Sequence, residues 1–185
     1  MAVNTKRALA DSLRKLLTQR TLDKITVRDI VEDCGVNRQT FYYHFRDIYD
    51  LLEWIFEDTV ERMVENQEMD YANWTCGIDH IVEQMLKDRK LILNAYHSVS
   101  HEAVSRFIKR WIDPFVTAVV DREAEGLHID EEDKQFVVKL FTLATTGFFT
   151  EWVENKMPEN ELKDLEKVKQ ALAGSVSSIL HRFAV

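Results

Sequence analysis

Apolar residues recur at the spacing of an α-helix along nearly the whole chain, and no segment alternates in the manner of a strand. Few glycines and prolines are available to build turns, which also favours long helices. The pattern predicts a leucine-lined first helix, a long helix that begins after Asp47, a linker at 68–75, and helices at 26–34, 38–45, 76–88, 90–98, 101–122, 133–155 and 161–183. Pro114 is expected to kink or restart the helix that contains it. We therefore expect an all-α protein of about nine helices.

The first clear local signals lie around a short turn. Thr26 and Asp29 have the spacing of a capping box, which marks the start of a helix. Gly35 follows that helix and is able to adopt the positive φ that often ends one. Asn37 is then placed to cap a further helix. Two short helices joined by a glycine-containing turn predict a helix-turn-helix.

The second helix of this motif divides by face. Phe41 and Phe45, four residues apart, are expected to point into a core, and the outward positions carry no carboxylate. Those outward positions are Arg38, Gln39, Thr40, Tyr42, Tyr43 and His44. Arginine suits the acceptors of guanine and glutamine those of adenine, while hydroxyl and imidazole groups suit phosphates. The sequence therefore predicts a recognition helix for a double-stranded DNA operator, and the alternative is a helix-turn-helix that serves only as scaffold.

The charge distribution supports that placement. The net charge is −8, yet residues 1–50 hold nine basic and seven acidic side chains, and the remainder holds 15 basic and 25 acidic ones. A polyanion should therefore meet the first part of the chain. We predict a DNA-binding domain at 1–50 and a helical domain for regulation and dimerisation at 51–185. Two cysteines, no signal-peptide pattern and no apolar run of membrane-spanning length predict a cytoplasmic protein.

Residues 5–56 resemble the DNA-binding domain of the TetR family of regulators. The resemblance is carried by the strings 25–30 and 34–45, which read ITVRDI and CGVNRQTFYYHF, and by Leu51-Leu52. It implies a homodimer, an effector-binding body and a set of DNA contacts. The residues that match contact positions are Thr26, Arg28, Arg38, Gln39, Thr40, Tyr42, Tyr43 and His44, and we add Asn37 as the cap of the recognition helix.

The chain departs from the family pattern at one position. The family usually carries a lysine three residues after the phenylalanine that ends the recognition helix, and Ile48 stands there. One contact to the DNA backbone is thereby lost unless Arg46 supplies it. The segments 38–42 and 52–57 also resemble one subgroup of the family, the activators of dihydroxyacetone-kinase operons.

The last two predicted helices, 133–155 and 161–183, are apolar on more than one side. Such helices need packing partners on more than one side, and pairing with their symmetry mates in a four-helix bundle would provide them. A dimer would also double the length of DNA that one short helix reads. We therefore predict a homodimer through these two helices, with a packed monomer core as the alternative.

Aromatic and polar side chains in the middle of the chain could line a pocket for a small-molecule effector. The candidates are Trp54, Tyr96, His97, Trp111, Phe115, Phe148 and Trp152. Each could equally fill the core. No cofactor and no membrane partner are expected.

Two histidine-containing pairs leave a metal-sensing regulator as an alternative. His97 with His101, and Cys76 with His80, are each four residues apart, which would place each pair on one helical face. Surface histidines are the commoner explanation.

An enzyme is the alternative from another class. A di-iron bundle needs Glu-x-x-His motifs on two helices, and the chain does not carry that pair of helical motifs. It also lacks a phosphate-binding loop, Gly-x-Ser-x-Gly and His-Glu-x-x-His. We therefore expect a regulator and not an enzyme. A third possibility is a degenerate helix-turn-helix that acts through contacts with another protein.

Overall fold

The computed structural model describes residues 2–65, 74–172 and 174–184, and these ranges contain helices and no strand. The predicted linker at 68–75 lies almost wholly outside them. The helices are α1 (Ala2–Leu17), α2 (Val27–Cys34), α3 (Arg38–His44), α4 (Ile48–Glu65), α5 (Trp74–Lys87), α6 (Arg89–Tyr96), α7 (His101–Glu123), α8 (Glu131–Glu154), α9 (Leu162–Leu172) and α10 (Ser175–Phe183). Short 3₁₀ turns occupy Leu22–Lys24 and Glu159–Glu161. The all-α prediction is confirmed.

The first three helices and the start of α4 enclose a small core. Leu13 of α1, Ile30 of α2, Phe41 of α3 and Leu51 of α4 are each fully buried there. Ser12 fastens α1 to α2, because its hydroxyl donates a hydrogen bond to the Ile30 carbonyl at 3.0 Å. The apolar spacing of each helix thus places α3 at the surface of a three-helix unit, where its inner face packs against the other helices.

A half-buried arginine joins this unit to the rest of the protein. Arg14 of α1 donates hydrogen bonds to the Thr59 hydroxyl and the Ile55 carbonyl of α4, and lies 3.7 Å from the Asp88 carboxylate. Burial lowers the pKa of Arg14 from its ordinary value, although nearby Asp88 opposes this. A guanidinium remains charged under such conditions, so it fixes α1 against α4 and the start of α6.

Helix α6 makes a second connection to the first unit. The Asn94 side-chain amide donates to the Leu17 carbonyl at the end of α1, at 2.7 Å. One turn later, the Ser98 hydroxyl accepts a hydrogen bond from the Asp23 amide at 3.1 Å. The orientation of the helix-turn-helix is therefore set by polar contacts to α4 and α6.

The body is built around α7 and α8, which pack against each other along their length. Ile112, Phe115 and Val116 of α7 are fully buried against the body. Helix α7 runs through Pro114 without restarting, so of the two predicted outcomes a restart is wrong. The packing of these side chains offsets the backbone hydrogen bond that proline removes.

The single helix predicted at 161–183 is wrong. The chain forms two helices there, because Gly174 adopts the left-handed conformation with φ of 76°. Helix α9 then packs against α5, while α10 packs against α7 and α8. A residue without a Cβ adopts this conformation at little cost, so Gly174 serves as a turn residue between α9 and α10.

Helix α8 is, among the described helices, long and apolar enough to cross a membrane by length and composition alone. The sequence-based expectation that no stretch reaches this length was therefore too strict. More than half of the most apolar 18-residue segment of α8 is buried within the protein, as is typical of the central helix of a bundle.

Candidate nucleic-acid interface

The first helix of the motif begins with the predicted capping box. The Asp29 amide donates to the Thr26 hydroxyl at 3.2 Å, and the Asp29 carboxylate accepts from the Thr26 amide at 2.8 Å. Hydrogen bonds from the Thr26 hydroxyl, and then from its amide, hold the pKa of Asp29 below its ordinary value. The capping box occupies two of the amide groups that the N-terminus of a helix can offer to a phosphate, so α2 has fewer of them free.

The turn and the second cap also form as predicted. Gly35 ends α2 in the left-handed conformation with φ of 71°. The Asn37 side chain accepts hydrogen bonds from the Thr40 amide at 2.8 Å and from the Thr40 hydroxyl at 2.9 Å. The side chains of Asn37 and Thr40 are therefore hydrogen-bonded to each other at the N-terminus of α3, and they stabilise that end of the helix.

The outer face of α3 presents a polar and aromatic surface. Arg38 donates a hydrogen bond from Nη2 to the Tyr42 hydroxyl at 3.2 Å, and its guanidinium lies 5.5 Å from the centre of the Tyr42 ring. Tyr43 is 82% exposed and meets the half-buried His44 edge to face. Gln39 is exposed beside them. The helix has no carboxylate, and Phe41 and Phe45 are buried as predicted.

The next helix begins beside this surface. The Asp47 carboxylate accepts from the Asp50 amide at 2.9 Å, which confirms the predicted cap. Ile48 is the first residue of α4, and its apolar side chain packs against the core. Arg46 is exposed but lies 3.5 Å from the Asp50 carboxylate. The position that usually carries a lysine thus contributes no charge.

Sequence reasoning missed Tyr49 at this edge. Its side chain is 52% exposed in the first turn of α4, where it brings a hydroxyl close to the start of the helix. A signal was available, because Tyr49 directly follows the half-buried Ile48 and therefore falls on a different face of the helix.

The predicted pocket residues do not share one cavity. Tyr96 and Trp111 line an apolar cavity of about 40 Å³ between α4, α5, α6, α7 and α8. Phe148 and Trp152 line a separate groove between α8 and α9. Trp54 instead packs against Phe45, with ring centres 5.9 Å apart.

The remaining two candidates lie elsewhere. Phe115 is fully enclosed in the core, and His97 is exposed just after α6. Helical spacing identifies buried aromatic residues, but it does not say which cavity each one faces.

The histidine pairs do not form a metal site among the described residues. His97 and His101 do not share a helical face, because α6 ends at Tyr96 and the Ser100 hydroxyl caps a new helix. His101 instead contacts the Glu154 carboxylate through Nδ1. The side chain of Cys76 lies outside the described side chains, so its pairing with His80 stays untested. The described part of the chain holds no group of three or more candidate ligands.

Two short helices at a glycine turn, with a carboxylate-free outer helix face, define a helix-turn-helix transcription regulator. A family model described as "Bacterial regulatory proteins, tetR family" matches residues 9–55. A second, described as "Transcriptional regulator C-terminal region", matches residues 72–174, more than half of the chain. The chain belongs to the TetR family of bacterial regulatory proteins, whose members bind DNA operators as dimers, and it is a regulator rather than an enzyme.

Individual relatives agree with this assignment. The chain is 22% identical over 139 residues to the "HTH-type dhaKLM operon transcriptional activator DhaS" of Lactococcus lactis subsp. lactis (strain IL1403), covering 75% of this chain and 73% of the relative. A solved structure of "Dihydroxyacetone kinase operon activator DhaS" matches with a TM-score of 0.71 at 19% identity over 99% of both chains. A TetR transcriptional regulator from Streptococcus agalactiae 2603V matches with a TM-score of 0.59 at 19% identity, covering 92% and 94%.

Proposed function

We propose that residues 1–50 bind an operator through α3, with Arg38 and Gln39 at base edges. Thr26, Arg28 and Tyr42, together with Thr40, Tyr43 and His44, position the domain on phosphates. The observation that carries this proposal is the outer face of α3, where arginine, glutamine and two tyrosines are exposed without a carboxylate. Tyr49 adds a phosphate contact on the side where Ile48 replaces the usual lysine.

Arg38→Ala tests this assignment of roles. We expect it to weaken operator binding by about 1–3 kcal/mol and to relax the sequence preference at one base pair of each half-site. Tyr42→Phe, which removes only a hydroxyl, should weaken binding evenly across sequences. Selection of bound sequences from random DNA, repeated with both variants, measures the two effects. Equal affinity of the unaltered protein for selected and random DNA would contradict the proposal.

Glu32→Gln should strengthen DNA binding. Arg28 is exposed and its Nε lies 2.6 Å from the Glu32 carboxylate, a pair that raises the pKa of Arg28. Such exposed pairs are weak, so the guanidinium can leave Glu32 for a phosphate. Removing the carboxylate should increase affinity by about two- to fivefold and steepen its dependence on salt.

A matched control separates this contact from a change in net charge. Glu83 forms a similar pair with Lys87 at 3.1 Å in α5, away from the helix-turn-helix. Glu83→Gln removes the same charge and should leave DNA affinity unchanged in a fluorescence anisotropy titration. Identical gains from both variants would show that Arg28 does not contact DNA.

The body at 51–185 is proposed to form the homodimer through α8 and the final helices α9 and α10. Helix α8 leaves four large apolar side chains between 42% and 55% exposed, which are Phe136, Leu140, Leu143 and Phe148. Phe136, Leu140 and Leu143 recur at helical spacing on one face of α8, and exposed apolar side chains grouped in this way are typical of a protein interface. In the cytoplasm, such a dimer would present two recognition helices to a two-fold operator.

The apolar cavity beside α6 is the proposed effector site. Its lining includes Tyr96 and Trp111, and the Trp111 indole nitrogen is buried without a hydrogen-bond partner in the described structure. A volume of about 40 Å³ is far below the roughly 300–1,000 Å³ of typical ligand pockets. An effector would therefore have to open the cavity, and a partner protein is the alternative source of regulation.

The target operon is proposed from the relatives. Both a curated relative and a solved structure are named as activators of a dihydroxyacetone-kinase operon, and segments 38–42 and 52–57 resemble that subgroup. Such an operon is one candidate target. The DNA upstream of such an operon should therefore be searched for the selected sequence and tested for binding.

A further inference from the structure

The cavity of about 40 Å³ beside α6 has an almost wholly apolar wall. Its inner part is formed by buried side chains, which include Ile81 and Met85 of α5, Ile108 of α7 and Val153 of α8. None of the described residues that line the cavity is charged. A carboxylate, phosphate or ammonium group placed there would lose its hydration without gaining an opposite charge. The wall therefore disfavours ionic molecules.

Two of the described lining residues carry a side-chain nitrogen or oxygen atom, and they differ in what those atoms contact. Burial, and next the Glu154 carboxylate, raises the pKa of Tyr96, so the Tyr96 hydroxyl stays neutral and interacts with Glu154. Trp111 is only 8% exposed, and its indole nitrogen has no hydrogen-bond partner in the described structure. An indole nitrogen can only donate, and buried donors are normally paired. A molecule with a hydrogen-bond acceptor would supply the missing partner.

The wall of the cavity reaches the protein surface between α4 and α7. Phe56 of α4 and Phe107 of α7 both line the cavity, are half-buried, and stack with ring centres 4.8 Å apart. Arg110, three residues after Phe107, lies 3.4 Å from the Glu53 carboxylate of α4 and also pairs with Glu57. The ring pair and the ion pairs thus join the same turns of α4 and α7. Because exposed ion pairs contribute little, these turns can separate at small cost.

We propose that the cavity takes a small, uncharged and largely apolar molecule with one hydrogen-bond acceptor, which enters between Phe56 and Phe107. The inference rests on the proposed effector site and adds the chemical class of its ligand. The acceptor binds the Trp111 indole nitrogen, and the rest of the molecule contacts the apolar wall. Separation of the two rings and a change of rotamer in the flexible Met85 side chain enlarge the cavity to receive it.

Water is the competing occupant, because a cavity of about 40 Å³ is large enough to hold a water molecule. A buried water normally makes about three hydrogen bonds to polar groups. Among the described lining residues, Tyr96 already interacts with Glu154, which leaves the single donor of Trp111. A molecule that is apolar apart from one acceptor therefore matches the wall better than water does.

Three small probes of similar size test the ligand class on the full chain. Acetophenone carries one carbonyl acceptor, α-methylstyrene has nearly the same shape without the acceptor, and benzoate has the same ring with a negative charge. Acetophenone should bind saturably and shift the indole N–H signal of Trp111, which is assigned by its absence from the spectrum of Trp111→Phe. Benzoate should bind at least about a hundredfold more weakly, because its charge would be buried without a partner. Heteronuclear NMR titrations provide the measurement.

Trp111→Phe separates the hydrogen bond from the effect of shape. The variant removes the N–H donor and should weaken acetophenone about three- to tenfold relative to α-methylstyrene. The ratio of the two affinities is the readout, because any extra space left by the smaller ring changes both probes alike. Circular dichroism establishes that the variant is folded. An unchanged ratio would overturn the assignment of Trp111 as the donor.

Arg110→Gln tests the entrance. Removing the ion pairs to α4 should raise acetophenone affinity about two- to fivefold, because they no longer oppose separation of the helices. Raising the salt concentration from about 50 to about 500 mM should raise the affinity of the original protein toward that of the variant. Arg122→Gln is the matched control, since Arg122 lies in the same helix and pairs with the adjacent Glu123 at 3.5 Å. Equal responses of the two variants would overturn entry between α4 and α7.

The outcomes separate this inference from the proposed effector site. If benzoate binds as well as acetophenone and also shifts the Trp111 signal, the ligand class is overturned and the effector site remains. If no probe shifts that signal at saturating concentration, both the ligand class and the effector site are overturned. Operator binding, measured separately by anisotropy, tests the DNA-binding proposal whichever result is obtained.

Discussion

Leu143→Glu is expected to leave the protein monomeric, with the dimer dissociation constant raised by about a hundredfold or more. Leu143 is 55% exposed at the middle of the apolar surface of α8, so the folded monomer does not depend on it. In the proposed homodimer, however, Leu143 lies in the interface, so the substituted residues of both copies enter it. Two carboxylates would then be buried without partners, and this cost opposes association rather than folding.

The loss of the dimer should also weaken operator binding. Two linked recognition helices bind an operator with an effective concentration that single helices lack, and this linkage is worth about 10²–10⁴ in affinity. Leu143→Glu should lose that factor on a full operator while retaining weak binding to one half-site. Light scattering and anisotropy titrations measure the two effects. Leu143→Met keeps an apolar side chain and is the control, and a dimeric Leu143→Glu protein would place the interface elsewhere.

The helix-turn-helix was predictable because its signals are local. Thr26 with Asp29, Gly35, and Asn37 with Thr40 each act within four residues of one another. Capping hydrogen bonds and a left-handed glycine depend on the adjacent backbone, so sequence spacing contains nearly all of the information. The same reasoning placed Phe41 and Phe45 inside the core.

The end of the chain was not predictable by the same reasoning. Apolar residues continue with helical spacing across Gly174, so the pattern indicated one helix where there are two. The break is decided by distant partners, because α9 packs on α5 and α10 packs on α8. His97 and His101 illustrate a local signal that was overlooked, since Ser100 between them is a helix cap.

The body also shows why burial alone does not define a binding site. Trp111, Phe115 and Trp152 are all buried, yet only the first lines the small cavity beside α6. Whether an aromatic residue lines a cavity or fills the core depends on the crossing of several helices. The sequence supplies the list of apolar residues without that geometry.

Phe41→Ala and Tyr43→Ala should separate stability from DNA binding within one short helix. Phe41 is fully buried between α3 and the rest of the first unit, and its ring meets Phe45 at 6.0 Å. Truncating such a residue leaves a cavity and costs about 3–5 kcal/mol. Because native domains are stable by only about 5–15 kcal/mol, this change should unfold a large share of the molecules in mild denaturant.

Tyr43→Ala is the matched variant, because the same helix holds Tyr43 82% exposed. Its effect on the free energy of unfolding should stay within about 0.5 kcal/mol, while operator affinity should fall through the lost phosphate contact. Denaturant titration followed by circular dichroism measures the first quantity, and anisotropy measures the second. Hydrogen exchange would locate the destabilised region, since Phe41→Ala should expose the amides of α1 to α3 to exchange before those of α7 and α8. Unchanged operator affinity in Tyr43→Ala would show that Tyr43 does not contact DNA, and a loss of stability as large as that of Phe41→Ala would show that its ring supports the core.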